Sequence, residues 1–155
     1  MSEIRVDADI DVISVADVMS LGTAQGPCVS MFMPTHRSGR ETLQGPVRLR
    51  NLINTARGEL SGADVAETVS EAMLAPLESL VDDHAFWQHT TDGLALFSSP
   101  GRFERYRVSL SLTEEVVVAA SFRVRPVLSL VSRDETFFVL SLSQNAVQLL
   151  SLIHI

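Results

Sequence analysis

The stretch from His36 to Arg57 is the part of the chain whose residue types are spaced closely enough to do chemistry together. It contains one acid, Glu41, so its local charge is about +4 at the usual side-chain pKa values. Guanidinium groups match phosphate oxygens in a forked geometry, so this pattern favours binding of a phosphate-bearing partner. The five arginines of the stretch are Arg37, Arg40, Arg48, Arg50 and Arg57.

The first half of the stretch is "PTHRSGR", which leaves a predicted strand and leads towards a predicted helix. The start of a helix is a common place for an anion. His36, Arg37 and Arg40 could therefore hold a phosphate group. The alternative is a solvated loop with ordinary charge, although loops carry a disproportionate share of binding residues.

The second half is "GPVRLRNLINTAR", which places Arg48, Arg50 and Arg57 on a predicted helix. A helix face that carries arginines can dock against a phosphate backbone. The alternative, which the sequence alone favours, is a solvent face whose arginine stems lie over the apolar stripe of the helix.

A third cluster is "DDHAFWQHTTDGL", which contains His84 and His89. Residues five apart do not share a helix face well, and no cysteine or further histidine is near, so a zinc site is not expected. Either histidine could form an acid–base pair with Asp82, Asp83 or Asp92, but no nucleophile stands beside them. Phe86, Trp87 and Cys28 are expected in the core.

The sequence contains no phosphate-binding loop, no dinucleotide fingerprint, no G-x-S-x-G and no metal motif. We therefore predict no catalytic residue, no metal ligand and no cofactor. An enzyme that uses His36 or His84 in acid–base catalysis is kept as a third alternative, which needs a pocket that joins the histidine to a nucleophile.

Composition sets the class of protein. Apolar residues make up 46% of the 155 residues, which is enough for a core and argues against disorder. The net charge of −7 is unlike that of a nonspecific nucleic-acid binder. All twelve basic residues are arginine, for which a GC-rich genome is the simpler explanation. No long apolar run, no signal peptide and a single cysteine lead us to expect a cytoplasmic protein without a membrane partner.

The first half of the chain is predicted to be helical around one strand. A helix is expected over residues 9–20, capped by Asp11 or Ser14, followed by the strand "GPCVSMFMP" and the loop "THRSGRETLQGP". Pro46 opens a second helix. Asp64 is expected to cap a third helix, which Pro76 should kink or split. The apolar stripes are Leu49, Leu52, Ile53, Ala56 and Leu60, and then Val65, Val69, Met73, Leu77 and Leu80.

The second half is predicted to be a series of strands, "GLALF", "RFERYRVSL", "EEVVVAA" and "TFFVLSLS", with a helical turn from Pro126. Alternating charges in "RFERYR" indicate an edge strand. The fold class is therefore α+β: a strand, two helices, then an antiparallel β-meander packed as an α/β layer domain.

Four blocks of sequence in this order carry a family resemblance: "CVSMFMPTHRSGRETLQGPVRLRNLINTARGEL", "FWQHTTDGLALFSS", "RFERYRVSLSLTEEVVVAASFRVRPVLSLV" and "TFFVLSLSQNAVQLL". From Ile13 to Leu149 the chain resembles the N-terminal part of the bacterial archaeo-eukaryotic release factor family, and most closely its third subfamily. These proteins are relatives of the class-one release factor and of Pelota.

The resemblance implies a three-domain protein whose N-terminal domain reaches the ribosomal decoding centre. The Asn-Ile-Lys-Ser motif of release factors is absent from the matching region, Gln44 to Asn54, so stop-codon recognition is not carried over. The Gly-Gly-Gln peptide-release motif belongs to the middle domain and is also absent. The resemblance places Arg48 and Arg50 where the family's domain approaches ribosomal RNA.

The resemblance also divides the chain. Residues 1–133 are expected to be the release-factor-like N-terminal domain, and residues 134–149 the first hairpin of a truncated middle domain. Residues 150–155, "LSLIHI", are expected to be a non-native tail, because the sequence is what a transposon-end sequencing adapter encodes.

The expected function is that of a ribosome-associated translation factor of the release, rescue or hibernation type. Its partner would be ribosomal RNA, bound by His36, Arg37, Arg40, Arg48, Arg50 and Arg57. The alternative, from a different class, is a protein–protein interaction module with no RNA role.

Overall fold

The structure is a computed structural model that describes residues 11–131. Its strands are β1 (Cys28–Pro34), β2 (Gly93–Ser99), β3 (Arg102–Val108) and β4 (Glu115–Ala119). Its helices are α1 (Val15–Gly22), α2 (Gly45–Gly62), α3 (Glu67–Val81) and the short α4 (His84–Trp87). Two 3₁₀ helices cover Arg40–Gln44 and Arg125–Leu130. The predicted α+β class is confirmed.

The four strands form one antiparallel sheet in the order β3-β2-β1-β4. The predicted meander is wrong in its last step, because β4 pairs with β1 and not with β3. Val29 at the centre of the sheet is opposite both Ser98 of β2 and Val118 of β4. The physical reason is that six of the seven residues of β1 are buried. A strand this buried needs a hydrogen-bonded neighbour on each side, and β4 supplies the second neighbour.

The predicted edge strand is confirmed, since β3 forms one edge of the sheet. Its charges divide between the two faces as the alternation predicts. Arg102 pairs with Glu104 on one face, with 3.6 Å between Nε and Oε1. On the other face the guanidinium carbons of Arg105 and Arg107 lie 4.9 and 5.9 Å from the centre of the Phe86 ring.

The sheet is covered on both faces, and β1 contributes to both cores. One core joins Met31 and Met33 to the apolar sides of α2 and α3. The other joins Phe32 to α1 and to the C-terminal 3₁₀ helix, which contributes Val127. The period of two along a strand explains why successive residues of β1 enter opposite cores.

The predicted apolar stripes are confirmed in α2 and α3. All five predicted stripe residues of α2 are buried, and Pro46 lies in its first turn. In α3, Met73, Leu77 and Leu80 are buried, while Val65 and Val69 pack against the same core from partly exposed positions. Within residues 11–131, no helix is both long enough and apolar enough to cross a bilayer.

Two details of α3 differ from prediction. Asp64 is not its cap, because the helix begins at Glu67 after Ala66, and Asp64 lies in the turn with a φ of 60°. Short polar residues tolerate that left-handed conformation, which explains why an aspartate occupies the turn. Pro76 lies inside a continuous helix and does not split it. Buried Met73 and Leu77 on either side of the proline hold both halves of the helix on the core.

Helix α1 begins at Val15, later than predicted, with Ser14 as its cap. The other predicted cap, Asp11, instead accepts hydrogen bonds from the backbone N–H and Nε of Arg107. The predicted loop between β1 and α2 is partly ordered into the first 3₁₀ helix. Residues 9–10 of the predicted helix, the hairpin over 134–149 and the tail over 150–155 lie outside the described residues.

Candidate nucleic-acid interface

The loop of residues 35–39 is anchored by threonine hydroxyls. Thr35 Oγ1 donates to the carbonyl oxygen of Thr91 at 2.7 Å, and Thr90 Oγ1 donates to that of His36 at 2.6 Å. The backbone N–H of Thr35 also donates to the carbonyl of Asp92. These bonds attach the loop to the segment that enters β2 and so fix where the following residues of the loop begin.

Arg37 forms a forked ion pair with Asp92. Its Nε and Nη2 donate to the two carboxylate oxygens at 3.2 and 3.1 Å. Both side chains are close to half exposed, at 44% and 40%. A bidentate pair fixes the plane of the guanidinium, while the carboxylate offsets its charge.

Arg48 lies near a carboxylate from the edge of the sheet. Its Nη1 is 3.9 Å from Oε1 of Glu114, and its Nη2 donates to Gln44 Oε1 at 3.3 Å. Because Glu114 immediately precedes β4, this pair links the first turn of α2 to that strand.

Arg57 is held by three side chains. Its Nε donates to Glu71 and its Nη1 to Asn54, both at 3.0 Å, and its Nη2 donates to Glu78. The hydrogen bond to Glu71 is the main reason that the pKa of Arg57 is raised above its usual value. Arg57 thus clamps α2 to α3 at the surface, with its donors directed at side chains of the two helices.

Arg40 and Arg50 differ from the other three arginines of the stretch in their pairing. Both are exposed, and neither forms an ion pair with any residue in the described part of the chain. Arg40 opens the first 3₁₀ helix, and the first turn of the following α2 has no acidic residue.

Two grooves border the junction between α3 and α4. Arg50 borders a groove with Val81 and Asp82 at the end of α3. The loop before Arg40 borders a groove with His84, where α4 begins immediately after α3.

The net charge around the stretch is therefore lower in the folded structure than the charge counted along the sequence. Three of its arginines pair with carboxylates from outside the stretch: Asp92, Glu114, Glu71 and Glu78. The local charge of about +4 is largely offset in three dimensions, because opposite charges within about 4 Å neutralise each other's field. The positive charge that is not offset is on Arg40 and Arg50.

His36 borders a niche of about 10 Å³, together with Thr42, Arg48 and Trp87. A space of that size holds about one water molecule. The niche beside His36 is therefore too small for a ligand, and the backbone carbonyl of His36 receives the bond from Thr90.

A larger groove of about 560 Å³ lies between the first 3₁₀ helix and α4, and we call it the α4 groove. Its floor includes the buried indole of Trp87, and its rim includes Leu43, which is 76% exposed. Sequence analysis did not select Leu43, although a leucine inside the polar run "RETLQ" is the signal that could have found it. The groove is lined by Arg37, Ser38, Thr42, Leu43, Pro46, His84, Trp87 and Gln88.

The histidines of the third cluster are not brought together into a site. His84 borders the α4 groove, whereas His89 presents its carbonyl oxygen to Arg107 on the edge strand. Among residues 11–131, no group of histidine, cysteine and carboxylate side chains could hold a metal ion.

The residues expected in the core are there. Phe86 and Trp87 are each 6% exposed, and Trp87 Nε1 donates to the carbonyl of Leu80 at 2.8 Å. Cys28 is buried at the start of β1, and burial raises the pKa of its thiol. A buried, protonated thiol is a poor nucleophile.

No protein-family model matches the chain, and no curated protein matches it.

Proposed function

We propose that the chain is the N-terminal, RNA-contacting domain of a ribosome-associated translation factor of the release, rescue or hibernation type, acting in the bacterial cytoplasm. The observation that carries the proposal is that Arg40 and Arg50 are exposed and form no ion pair in the described part of the chain. The family resemblance supplies the ribosome as the source of RNA.

The residues of the stretch have unequal roles in this proposal. Arg40 and Arg50 contact phosphate directly, because neither guanidinium is held in an ion pair within residues 11–131, although Glu78 and Asp82 border the groove beside Arg50. Arg37 and Arg48 border the same region but already have partners in Asp92 and Glu114. We leave Arg57 out of the contact surface, because its donors are taken by three side chains of α2 and α3.

The test is co-sedimentation of the whole chain with bacterial ribosomes over a series of salt concentrations. Each phosphate contact releases condensed counterions, so binding should weaken as salt rises. Arg40→Glu and Arg50→Glu should each weaken binding and lower the slope of log affinity against log salt by about one.

Arg125→Glu is the matched control, because Arg125 is also exposed and forms no ion pair within residues 11–131. It makes the same charge change on the C-terminal 3₁₀ helix. If all three reversals weakened binding equally, the effect would be one of net charge and the assigned surface would be wrong. Wild-type chain that stayed in the supernatant at low salt would overturn the proposal itself.

A second candidate is a protein–protein interaction module with no RNA role. It is favoured by the net charge of −7 and by two exposed apolar residues, Leu43 and Val47, close to the arginines. Apolar groups beside arginine are typical of protein interfaces. Binding of this kind would change little with salt, and it would persist with purified ribosomal proteins from which RNA had been removed.

A further inference from the structure

The α4 groove has features that the phosphate contacts of Arg40 and Arg50 leave unexplained. Its rim and floor combine the exposed Leu43 with Pro46 and the edge of Trp87. Hydroxyl and amide groups of Ser38, Thr42 and Gln88 stand beside this apolar surface. No carboxylate of the described residues lines it.

Arg37 contributes a flat surface to the same groove. Its guanidinium is fixed by two hydrogen bonds to Asp92 and is still 44% exposed. Asp92 occupies one edge of the guanidinium, and the exposed side chain borders the groove. Guanidinium planes of this kind stack on nucleobases.

Arg40 places a positive charge beside the apolar rim. Arg40 and Leu43 are three residues apart in the 3₁₀ helix Arg40–Gln44, and side chains at that spacing eclipse one another. A ligand that covered Leu43 would therefore have Arg40 next to it. The charge of Arg40 favours an anionic ligand, and the apolar surface of Leu43 favours one with a flat apolar part.

We infer that the α4 groove binds one unstacked nucleotide of a single-stranded RNA segment. The base lies against the guanidinium plane of Arg37 and the apolar surface of Leu43 and Pro46, while its phosphate contacts Arg40. The polar groups of Thr42 and Gln88 face the edge of the base. The groove has the volume of a small-ligand site. This inference rests on the proposed function and names the form of RNA that it recognises.

The fluorescence of Trp87 tests the inference directly. Trp87 is the one tryptophan of the chain and lines the groove, so a base that enters should change its emission. The probes are a short oligouridylate, the same oligomer with one abasic position at its centre, and uridine monophosphate. Removal of the base should lower the affinity roughly ten-fold, because base stacking makes a contribution of that size.

Two substitutions separate stacking from charge. Arg37→Lys keeps the charge and removes the plane, and Leu43→Ser removes the apolar rim. Each should lower the affinity for the intact oligomer roughly five-fold and have little effect on the abasic one. Val47→Ser is the control for Leu43→Ser, because Val47 is also exposed but does not line the groove.

The outcomes distinguish the inference from the proposed function. If intact and abasic oligomers bind equally, while Arg40→Glu still weakens both, the groove holds no base but RNA contact stands. If no oligomer binds at low salt while the chain still co-sediments with ribosomes, the inference falls and the proposed function stands; if neither binds, both fall. If uridine monophosphate binds as tightly as the oligomer, the groove is a site for free nucleotides, and the inference of an RNA strand is overturned.

Discussion

Gly45 at the start of α2 lies directly against the ring of Trp87. A β-carbon placed on Gly45 would come within 2.5 Å of two ring atoms of the indole. The indole N–H in turn donates to the carbonyl of Leu80 in α3. Trp87 therefore joins the first residue of α2 to the last turn of α3, directly beneath the α4 groove.

Replacement of Gly45 by alanine should destabilise the fold. The added methyl group must displace a buried indole whose hydrogen bond restrains it, and overpacking of this kind costs about 1–3 kcal/mol. Urea denaturation followed by Trp87 fluorescence should show a lower midpoint with an unchanged slope.

Gly58→Ala is the matched control in the same helix. Gly58 is exposed, and a β-carbon built there meets nothing within 4 Å. Alanine should stabilise the fold by about 0.5–1 kcal/mol, since it restricts the unfolded chain. Equal effects of the two substitutions would show that helix propensity alone is being measured and that the contact with Trp87 is unimportant.

The capping box of α1 gives a second prediction. Ser14 Oγ accepts from the N–H of Asp17 at 3.2 Å, and Asp17 Oδ2 accepts from the N–H of Ser14 at 2.9 Å. Ser14→Ala should lower the free energy of unfolding by about 1 kcal/mol, because an N–H at the helix start loses its partner. Ser20→Ala, at an exposed position in the same helix, should change stability by less than about 0.5 kcal/mol. Similar losses for both would argue against the cap.

The clamp of Arg57 gives a third prediction. Arg57→Met should destabilise the fold by about 1 kcal/mol or less, because solvent screens the pairs with Glu71 and Glu78. The loss should shrink in high salt, which screens the wild-type pairs further. Denaturation at low and high salt measures both effects, with Arg125→Met as the control for the loss of one positive charge. A loss that did not depend on salt would assign the role of Arg57 to packing of its stem.

Tyr106 gives a prediction on pH. It is 7% exposed, and burial is the main cause that raises its pKa from 10.0 to about 12. The folded state then holds the phenol proton more tightly than the unfolded state does. Stability is therefore fully present below pH 10 and falls as the pH rises towards about 12.

The tyrosinate signal can be assigned to one residue, because the chain has a single tyrosine. Tyrosinate absorbance should appear near pH 12 in the native chain and near pH 10 in urea. Tyr106→Phe should remove much of the pH-dependent loss of stability, leaving the smaller effect of Cys28. A native midpoint near pH 10 with unchanged circular dichroism would contradict the burial.

The helices were predictable from sequence where one face alone enters the core. The stripe from Leu49 to Leu60 identifies its buried side by spacing, and the alternation in "RFERYR" identifies an edge strand. The neighbour of β4 was not predictable. Its valines pair equally well with any apolar strand, and the choice of β1 depends on how the chain crosses the sheet after β3. Asp64 failed as a local signal because it lies in the turn before α3 in a left-handed conformation, and α3 continues through Pro76 without splitting.

The candidate site was predictable as a segment but not as a charge distribution. Counting charges along the sequence from His36 to Arg57 cannot include Asp92 or Glu114, which arrive from β2 and β4 through the fold. The α4 groove depends on α4 packing beside the first 3₁₀ helix. No spacing within the sequence shows that Leu43 and His84 border the same groove.

The central place of β1 has a consequence for the order of folding. The α2–α3 pair and the β2–β3 hairpin join residues close in sequence, so each can form early. Cys28 and Ala119, in contrast, are partners across the sheet from opposite ends of the described chain. Closing so long a loop is slow, because its entropy must be lost before the contacts form. Until β4 arrives, β1 has an open apolar edge, so synthesis of the domain must pass Ala119 before its sheet is complete.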